Sequence, residues 1–174
     1  MSAPSLRSAI RDIADFPKPG ILFRDITPVL AHPDLFREAI RLLCETAGTT
    51  KIDKVVGIDA RGFIFAAAVA DRLHAGFVPI RKRGKLPWRT RGLAYALEYG
   101  EAEVEIHEDA ILPGEKVLLV DDLLATGGTS AAAIKLLEDL GADIVTVAFL
   151  IELRSLNGRA LLGKHPVTSI IDYP

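Results

Sequence analysis

The fold is decided by one stretch of the sequence, Val117-Leu118-Leu119-Val120-Asp121-Asp122-Leu123-Leu124-Ala125-Thr126-Gly127-Gly128-Thr129. Its four leading apolar residues predict a buried strand of a parallel sheet. Two carboxylates, Asp121 and Asp122, follow at the carboxyl end of this strand. After a loop of small residues, apolar side chains recur at helical spacing until Gly141 ends the pattern. The stretch therefore predicts a strand, a short loop and a helix in succession.

The loop in this stretch has the composition of a phosphate-binding site. Its glycines let backbone N–H groups approach an anion, and the positive end of the following helix favours negative charge. Thr126 and Thr129 add hydroxyl donors. The residues predicted to bind phosphate are Ala125, Thr126, Gly127, Gly128 and Thr129.

The two aspartates indicate which kind of phosphate compound is bound. Because a carboxylate repels a bare phosphate, Asp121 and Asp122 are better suited to accept hydrogen bonds from hydroxyl groups one sugar away. This favours a ribose 5-phosphate, with its phosphate in the loop and its 2- and 3-hydroxyls on the carboxylates. The stretch has neither the Gly-Lys-Ser/Thr of a Walker A loop nor a G-x-G-x-x-G pattern. An ordinary strand–turn–helix is the simpler alternative, but it requires neither paired acids nor two threonines.

The composition is that of a single globular domain, which we expect to cover residues 1–174. Hydrophobic residues make up 49% and charged residues 25% of the chain, as in ordinary globular proteins. The net charge of −2 argues against a chain that coats nucleic acid. No apolar run approaches the roughly 20 residues that span a bilayer, so we expect no membrane partner. The single cysteine, Cys44, excludes an internal disulfide and suits a cytoplasmic location.

Helix and strand patterns alternate along the rest of the chain. Helical spacing of apolar residues predicts helices over residues 5–13, 34–43 and 62–74. Short apolar runs predict strands over residues 54–58, 77–80, 144–150 and 167–171, and a hairpin over 93–98 and 104–107. The basic residues 81–91 predict a loop. The alternation indicates an α/β fold with a central, mostly parallel sheet flanked by helices, whose ligands bind beyond the carboxyl ends of the strands.

Further motifs occur in order along nearly the whole chain. They are DFPKPG at 15–20, FRDITPVL at 23–30, DARGF at 59–63, RKRGKLP at 81–87 and LEYG at 97–100. Together with residues 117–129, they resemble the adenine-specific branch of the type I phosphoribosyltransferase family. The resemblance implies that family's fold, with a small N-terminal hood over residues 1–33 and a mobile lid loop and hairpin over 81–107. It also implies transfer of the ribose 5-phosphate group of phosphoribosyl pyrophosphate to adenine, giving AMP and pyrophosphate in purine salvage.

The resemblance implies roles for individual residues. Adenine would be bound by Leu22, Phe23 and Arg24. Pyrophosphate would be bound by Asp59, Ala60, Arg61, Lys82, Lys85 and Tyr99, with a cis peptide bond between the first two. Catalysis would depend on Arg61, Glu98, Asp121 and Asp122, of which Glu98 is the general acid/base at the purine N7. Considered without the family, the basic run has two alternatives, a solvated loop or a weak nucleic-acid patch. Phe23 is equally a core aromatic residue, and Glu98 is more typical of a solvated surface acid.

Mg²⁺ is the cofactor that the resemblance implies, carried mainly by the substrate rather than by direct protein ligands. The four histidines have no partner at metal-ligand spacing. Family members are usually homodimers, with residues 81–85 near the subunit boundary, and we expect the same of this chain.

Two other functions remain open from the sequence. The same fold could act on another base, because guanine and hypoxanthine enzymes of this superfamily recognise the base near the C-terminus, where Glu152 lies. A non-catalytic sensor of purines is the second alternative. Such a sensor would be expected to carry a DNA-binding domain or a basic RNA-binding face, and the chain shows no clear helix-turn-helix.

Overall fold

The structure, a computed structural model, describes residues 3–96 and 101–174. The chain divides into two compact units, Met1–Leu42 and Leu43–Pro174. Glu98 and Tyr99, the predicted lid residues, lie outside the described residues. In the part of the chain that is described, no helix is both long and apolar enough to cross a membrane.

The first unit is built on a two-stranded antiparallel hairpin. Its elements are α1 (Ala3–Ala9), β1 (Arg11–Ala14), β2 (Leu22–Asp25), α2 (Thr27–Ala31) and most of α3 (Pro33–Glu45). The predicted helix over residues 5–13 is wrong beyond Ala9, because residues 11–14 pair with β2. Two ion pairs across the hairpin, Arg11 with Asp25 and Arg24 with Asp12, favour the strand over the helix at this point.

The second unit is built on a seven-stranded sheet. Its elements are β3 (Lys54–Ile58), α4 (Gly62–Leu73), β4 (Gly76–Lys82), β5 (Thr90–Ala96), β6 (Glu101–His107), β7 (Lys116–Leu124), α5 (Gly128–Asp139), β8 (Asp143–Leu153) and β9 (Val167–Tyr173). The strand order is β5-β6-β4-β3-β7-β8-β9. The β4, β3, β7, β8 and β9 strands are parallel, whereas β5 and β6 pair antiparallel as the predicted hairpin.

Helices cover both faces of this sheet, as the alternating pattern predicts. Gly57 of β3 faces α4, since a Cβ atom there would lie 2.6 Å from Cβ of Ala66. Its neighbours Val56 and Ile58 point to the other face, where they share a buried core with α5. The residues of α5 in that core are Ala132, Ala133, Ile134, Leu136 and Leu137. The prediction of a mostly parallel α/β sheet flanked by helices is confirmed.

Two strands are longer than their apolar runs. Pairing of β7 with β8 continues through Leu124, so Asp121 and Asp122 lie inside the strand and not after it. Likewise β4 includes Arg81 and Lys82, which pair with Glu105 and Val104 of β6. The β5 strand begins at Thr90, so the predicted loop over residues 81–91 is shorter than expected. Strands pair through backbone N–H and C=O groups, so a strand can continue through polar and charged residues beyond its apolar run.

Candidate active site

A cavity of about 300 Å³ lies at the carboxyl ends of β3 and β7 and at the start of α5. The cavity is lined by Ile58, Asp59, Ala60, Arg61, Asp121, Asp122, Leu123 and residues 125–130. The structure therefore brings the five predicted phosphate-loop residues together with both aspartates and with the segment 59–61.

The phosphate loop, residues 125–129, leads directly into α5. Gly127 caps this helix in the left-handed conformation, with φ of 85°, and no side chain caps the helix. The hydroxyl of Thr129 donates a hydrogen bond to Oη of Tyr95 at 3.1 Å, which ties the start of α5 to the hairpin strand β5. Sequence reasoning missed Tyr95, because the contact joins residues 34 positions apart.

The paired aspartates have distinct surroundings. The backbone N–H of Asp122 donates to Oδ1 of Asp121 at 2.9 Å. A Cβ atom on Gly62 would lie 2.5 Å from that same oxygen, so the start of α4 approaches Asp121 where only glycine fits. Asp122 is buried and pairs with Arg61, whose Nε lies 2.8 Å from Oδ2.

Desolvation raises the pKa of both carboxyls. For Asp121 the pKa lies well above the ordinary value, because the negative charge of Asp122 adds to the effect of burial. For Asp122 the guanidinium of Arg61 opposes the effect of burial, and the pKa is still raised. The cavity thus holds two adjacent acids in a position where negative charge is costly, which is typical of functional sites.

Asp59 connects the cavity to the basic segment. Its Oδ2 lies 3.1 Å from Nε of Arg81, while Nη1 of Arg81 donates to the carbonyl of Lys85 at 3.2 Å. The Asp59–Ala60 peptide bond is cis, as the resemblance predicts. Arg81 also stacks over Phe63 at 5.9 Å. Arg81 thus holds the segment around Lys85, a role that the run of basic residues alone does not reveal.

Glu105 of β6 holds the same segment from the other side. Its buried Oε1 accepts hydrogen bonds from the backbone N–H groups of Lys85 and Leu86, both at 3.0 Å, and Oε2 accepts one from Thr90 at 3.2 Å. Burial alone would raise the pKa of Glu105, but these backbone and hydroxyl donors lower it below its usual range. A charged Glu105 therefore fixes the backbone that carries Lys85.

The remaining predicted residues are not among those that line this cavity. Lys82 and Lys85 are exposed and are not among the residues that line the cavity. Leu22, Phe23 and Arg24 form β2 in the first unit, where Leu22 is 46% exposed. Phe23 is half-buried and packs edge-to-face on Phe16, with ring centroids 5.1 Å apart. Within the described residues, no group of three or more His, Cys, Asp or Glu is suited to hold a metal.

Glu152, the residue behind the alternative base specificity, has a different environment. It is only 3% exposed, and its carboxylate accepts hydrogen bonds from Arg159 at 2.6 Å and from the hydroxyl of Ser169 at 2.7 Å. Glu152 is thus buried and paired within the protein, so it gives no support for base recognition at this position.

Known proteins share both this sequence and this fold. The phosphoribosyl transferase domain family matches residues 25–169. Adenine phosphoribosyltransferase of Sinorhizobium medicae is 58% identical over 157 residues, covering 90% of this chain and 87% of the relative. The Mesorhizobium japonicum protein of the same name is 58% identical over 171 residues, covering 97% and 94%.

Solved structures agree with these relatives. Adenine phosphoribosyltransferase from Thermoanaerobacter pseudethanolicus has a TM-score of 0.96 at 46% identity, covering 99% of this chain and 100% of the other. The Saccharomyces cerevisiae enzyme, complexed with an imino-altritol bisphosphate and adenine, has a TM-score of 0.91 at 42% identity and covers 97% of each chain.

Proposed function

We propose residue roles for a chain that belongs to the adenine phosphoribosyltransferases of the type I family, and that makes AMP and pyrophosphate from adenine and phosphoribosyl pyrophosphate in purine salvage. One observation carries the proposal. The phosphate loop, the two aspartates and the segment 59–61 line a single cavity at the carboxyl edge of the sheet. The ribose 5-phosphate group is held in this cavity during its transfer.

The phosphate loop binds the 5-phosphate. Its backbone N–H groups, the start of α5 and the hydroxyl of Thr126 supply donors to an anion. The hydroxyl of Thr129 adds another when its proton turns from Oη of Tyr95 to the phosphate. The carboxylates of Asp121 and Asp122 accept hydrogen bonds from the ribose hydroxyls. Because the bond to the leaving group breaks early, positive charge develops on the sugar, and these carboxylates stabilise it.

Positive groups around the cavity stabilise the pyrophosphate. Arg61 is 39% exposed at its side chain and lines the cavity while it orients Asp122. Ala60 and the backbone around Asp59 add donors. Lys82 at the end of β4 and Lys85 in the loop that follows bring positive charge. The negative charge of the leaving group is thereby compensated at several points.

The cavity is better suited to a Mg²⁺ ion that arrives with the substrate than to one that the protein holds by itself. Asp59 and Asp122 are already paired with arginines, at 3.1 Å and 2.8 Å, so few protein oxygens remain for a metal. Mg²⁺ is commonly held by one or two carboxylates together with substrate phosphates. When bound, it would supply further neutralisation of the leaving group, without a direct protein ligand.

Adenine is recognised by Leu22, Phe23 and Arg24, where the partly exposed Phe23 ring offers a stacking surface. Glu98 exchanges the proton at N7, and Tyr99 helps to close the site over the pyrophosphate. Closure excludes water from the developing cation. We also propose a homodimer and a cytoplasmic location, which the family resemblance and the single cysteine support.

A base-specificity assay combined with a binding measurement tests these roles. With phosphoribosyl pyrophosphate and Mg²⁺, we expect equal amounts of AMP and pyrophosphate from adenine, and no nucleotide from guanine, hypoxanthine or uracil. Calorimetry should show ribose 5-phosphate binding to wild type and to Lys51→Ala, at an exposed position outside the cavity lining. Binding should be lost in Gly127→Ala. Equal binding by Gly127→Ala would overturn the assignment of the phosphate loop.

A further inference from the structure

The phosphate loop packs against a second backbone segment, the one around Gly158, to which the proposed function assigns no role. A Cβ atom on Gly127 would lie 2.4 Å from the carbonyl oxygen of Gly158. Conversely, a Cβ atom on Gly158 would lie 2.3 Å from the carbonyl oxygen of Ala125 and 3.0 Å from the nitrogen of Gly127. The two backbones are therefore in direct contact, and a side chain at position 158 would clash with the phosphate loop.

Gly158 belongs to a segment of two 3₁₀ turns, Arg154–Leu156 and Gly158–Leu161, that follows β8. Its neighbour Arg159 fixes this segment to the sheet. The guanidinium donates to Glu152 at 2.6 to 2.9 Å, to the carbonyl of Val167 at 2.8 Å and to the hydroxyl of Ser169 at 2.9 Å. Charge-assisted, bidentate pairs of this kind are strong and directional.

The charges of this group are stable at neutral pH. The hydrogen bonds from Arg159 lower the pKa of Glu152 below its usual range, against the effect of burial. The nearly complete burial of Glu152 also means that removal of one partner would leave a charge without compensation. The position of Arg159, and with it that of Gly158, is thus set by β8 and β9.

We propose that Glu152 and Arg159 are positioning residues for the phosphate loop. By holding Gly158 against Ala125 and Gly127, they set the direction of the backbone N–H groups that bind the 5-phosphate. No side chain caps α5 at Gly127, so the position of this backbone depends on packing against Gly158. The inference rests on the proposed phosphate-binding role of residues 125–129.

Kinetics of Arg159→Met test the proposal. We expect the KM for phosphoribosyl pyrophosphate and the Kd for ribose 5-phosphate to rise about tenfold, because charged hydrogen bonds that orient the loop are lost. The KM for adenine should change little. The matched control is Arg37→Met in α3, which removes an exposed pair with Asp34 and should leave both KM values unchanged.

Gly158→Ala keeps the proposal testable if Arg159→Met does not fold. It leaves Glu152 and Arg159 intact but places a Cβ atom against the loop, and it should raise the same KM selectively. Unchanged constants in either folded variant would overturn the inference, as would equal losses for both substrates. If wild type itself fails to bind ribose 5-phosphate, the proposed function fails instead, so the two failures are distinguishable.

Discussion

Nε of Arg61 lies 2.8 Å from Oδ2 of Asp122, so one ion pair joins the loop after β3 to the end of β7. Asp122 is buried, whereas Arg61 is partly exposed. The pair therefore orients the carboxylate that is proposed to bind the ribose, and it leaves a guanidinium at the cavity surface. Both proposed roles depend on the same contact.

We expect Asp122→Asn to lower kcat/KM for phosphoribosyl pyrophosphate by at least about tenfold, because a neutral amide is a weaker acceptor and Arg61 loses its ion pair with residue 122. Steady-state pyrophosphate release measures the effect. Asp143→Asn, which loses only an exposed pair with Lys116, is the control and should be close to wild type. An unchanged kcat/KM in Asp122→Asn would show that the ribose contact is assigned to the wrong residue.

Asp121→Asn should stabilise the fold and lower the activity. Since the pKa of Asp121 in the folded protein is raised above its unfolded value near 3.8, the native state binds the proton more tightly. The charged form therefore destabilises the fold, and stability falls as pH rises through the folded pKa. Asn removes this cost, so Tm should increase at pH 7 while kcat/KM falls.

Thermal scans from pH 4 to pH 8 check this prediction. The difference in Tm between Asp121→Asn and wild type should shrink as the pH approaches 4, because Asp121 keeps its proton in the folded protein and is only partly ionised in the unfolded chain. A difference independent of pH would mean that burial of the charge is not its cause.

The sequence predicted most of the residues that line the cavity, but not the residues that hold them in place. Asp121, Asp122 and the phosphate loop are contiguous, and parallel strands end at one edge, so their meeting follows from local patterns. Arg81, Glu105 and Arg159 act through side-chain contacts to other loops and strands, which no local periodicity encodes. The β1 strand was missed in the same way, because its partner lies across a turn of seven residues, 15–21.

Glu105→Ala should weaken pyrophosphate binding without affecting AMP. Loss of the acceptor for Lys85 and Leu86 frees the backbone that carries a proposed pyrophosphate ligand. In the reverse reaction, we expect the KM for pyrophosphate to rise several-fold and that for AMP to stay constant. Glu105→Gln keeps one acceptor oxygen and should lose less. Glu103→Ala on the same strand, which removes an exposed pair with Arg83, is the control.

Tyr95→Phe tests whether the hairpin helps to orient the phosphate loop. The change removes the phenol that accepts the hydrogen bond of Thr129 but keeps the ring, so packing is preserved. One neutral hydrogen bond contributes about 1 kcal/mol, and the KM for phosphoribosyl pyrophosphate should rise about fivefold. A double-mutant cycle with Thr129→Val measures the coupling. Additive effects would show that the contact has no role in binding.

Phe23→Ala should raise the KM for adenine about tenfold and leave the KM for phosphoribosyl pyrophosphate unchanged. Stacking of a base on an aromatic ring contributes about 1–3 kcal/mol, and Phe23 is partly exposed. Leu112→Ala removes an exposed apolar side chain elsewhere and should have no effect. If Phe23→Ala lowers Tm but leaves the KM for adenine unaltered, Phe23 serves only to pack against Phe16, and adenine is recognised by other residues.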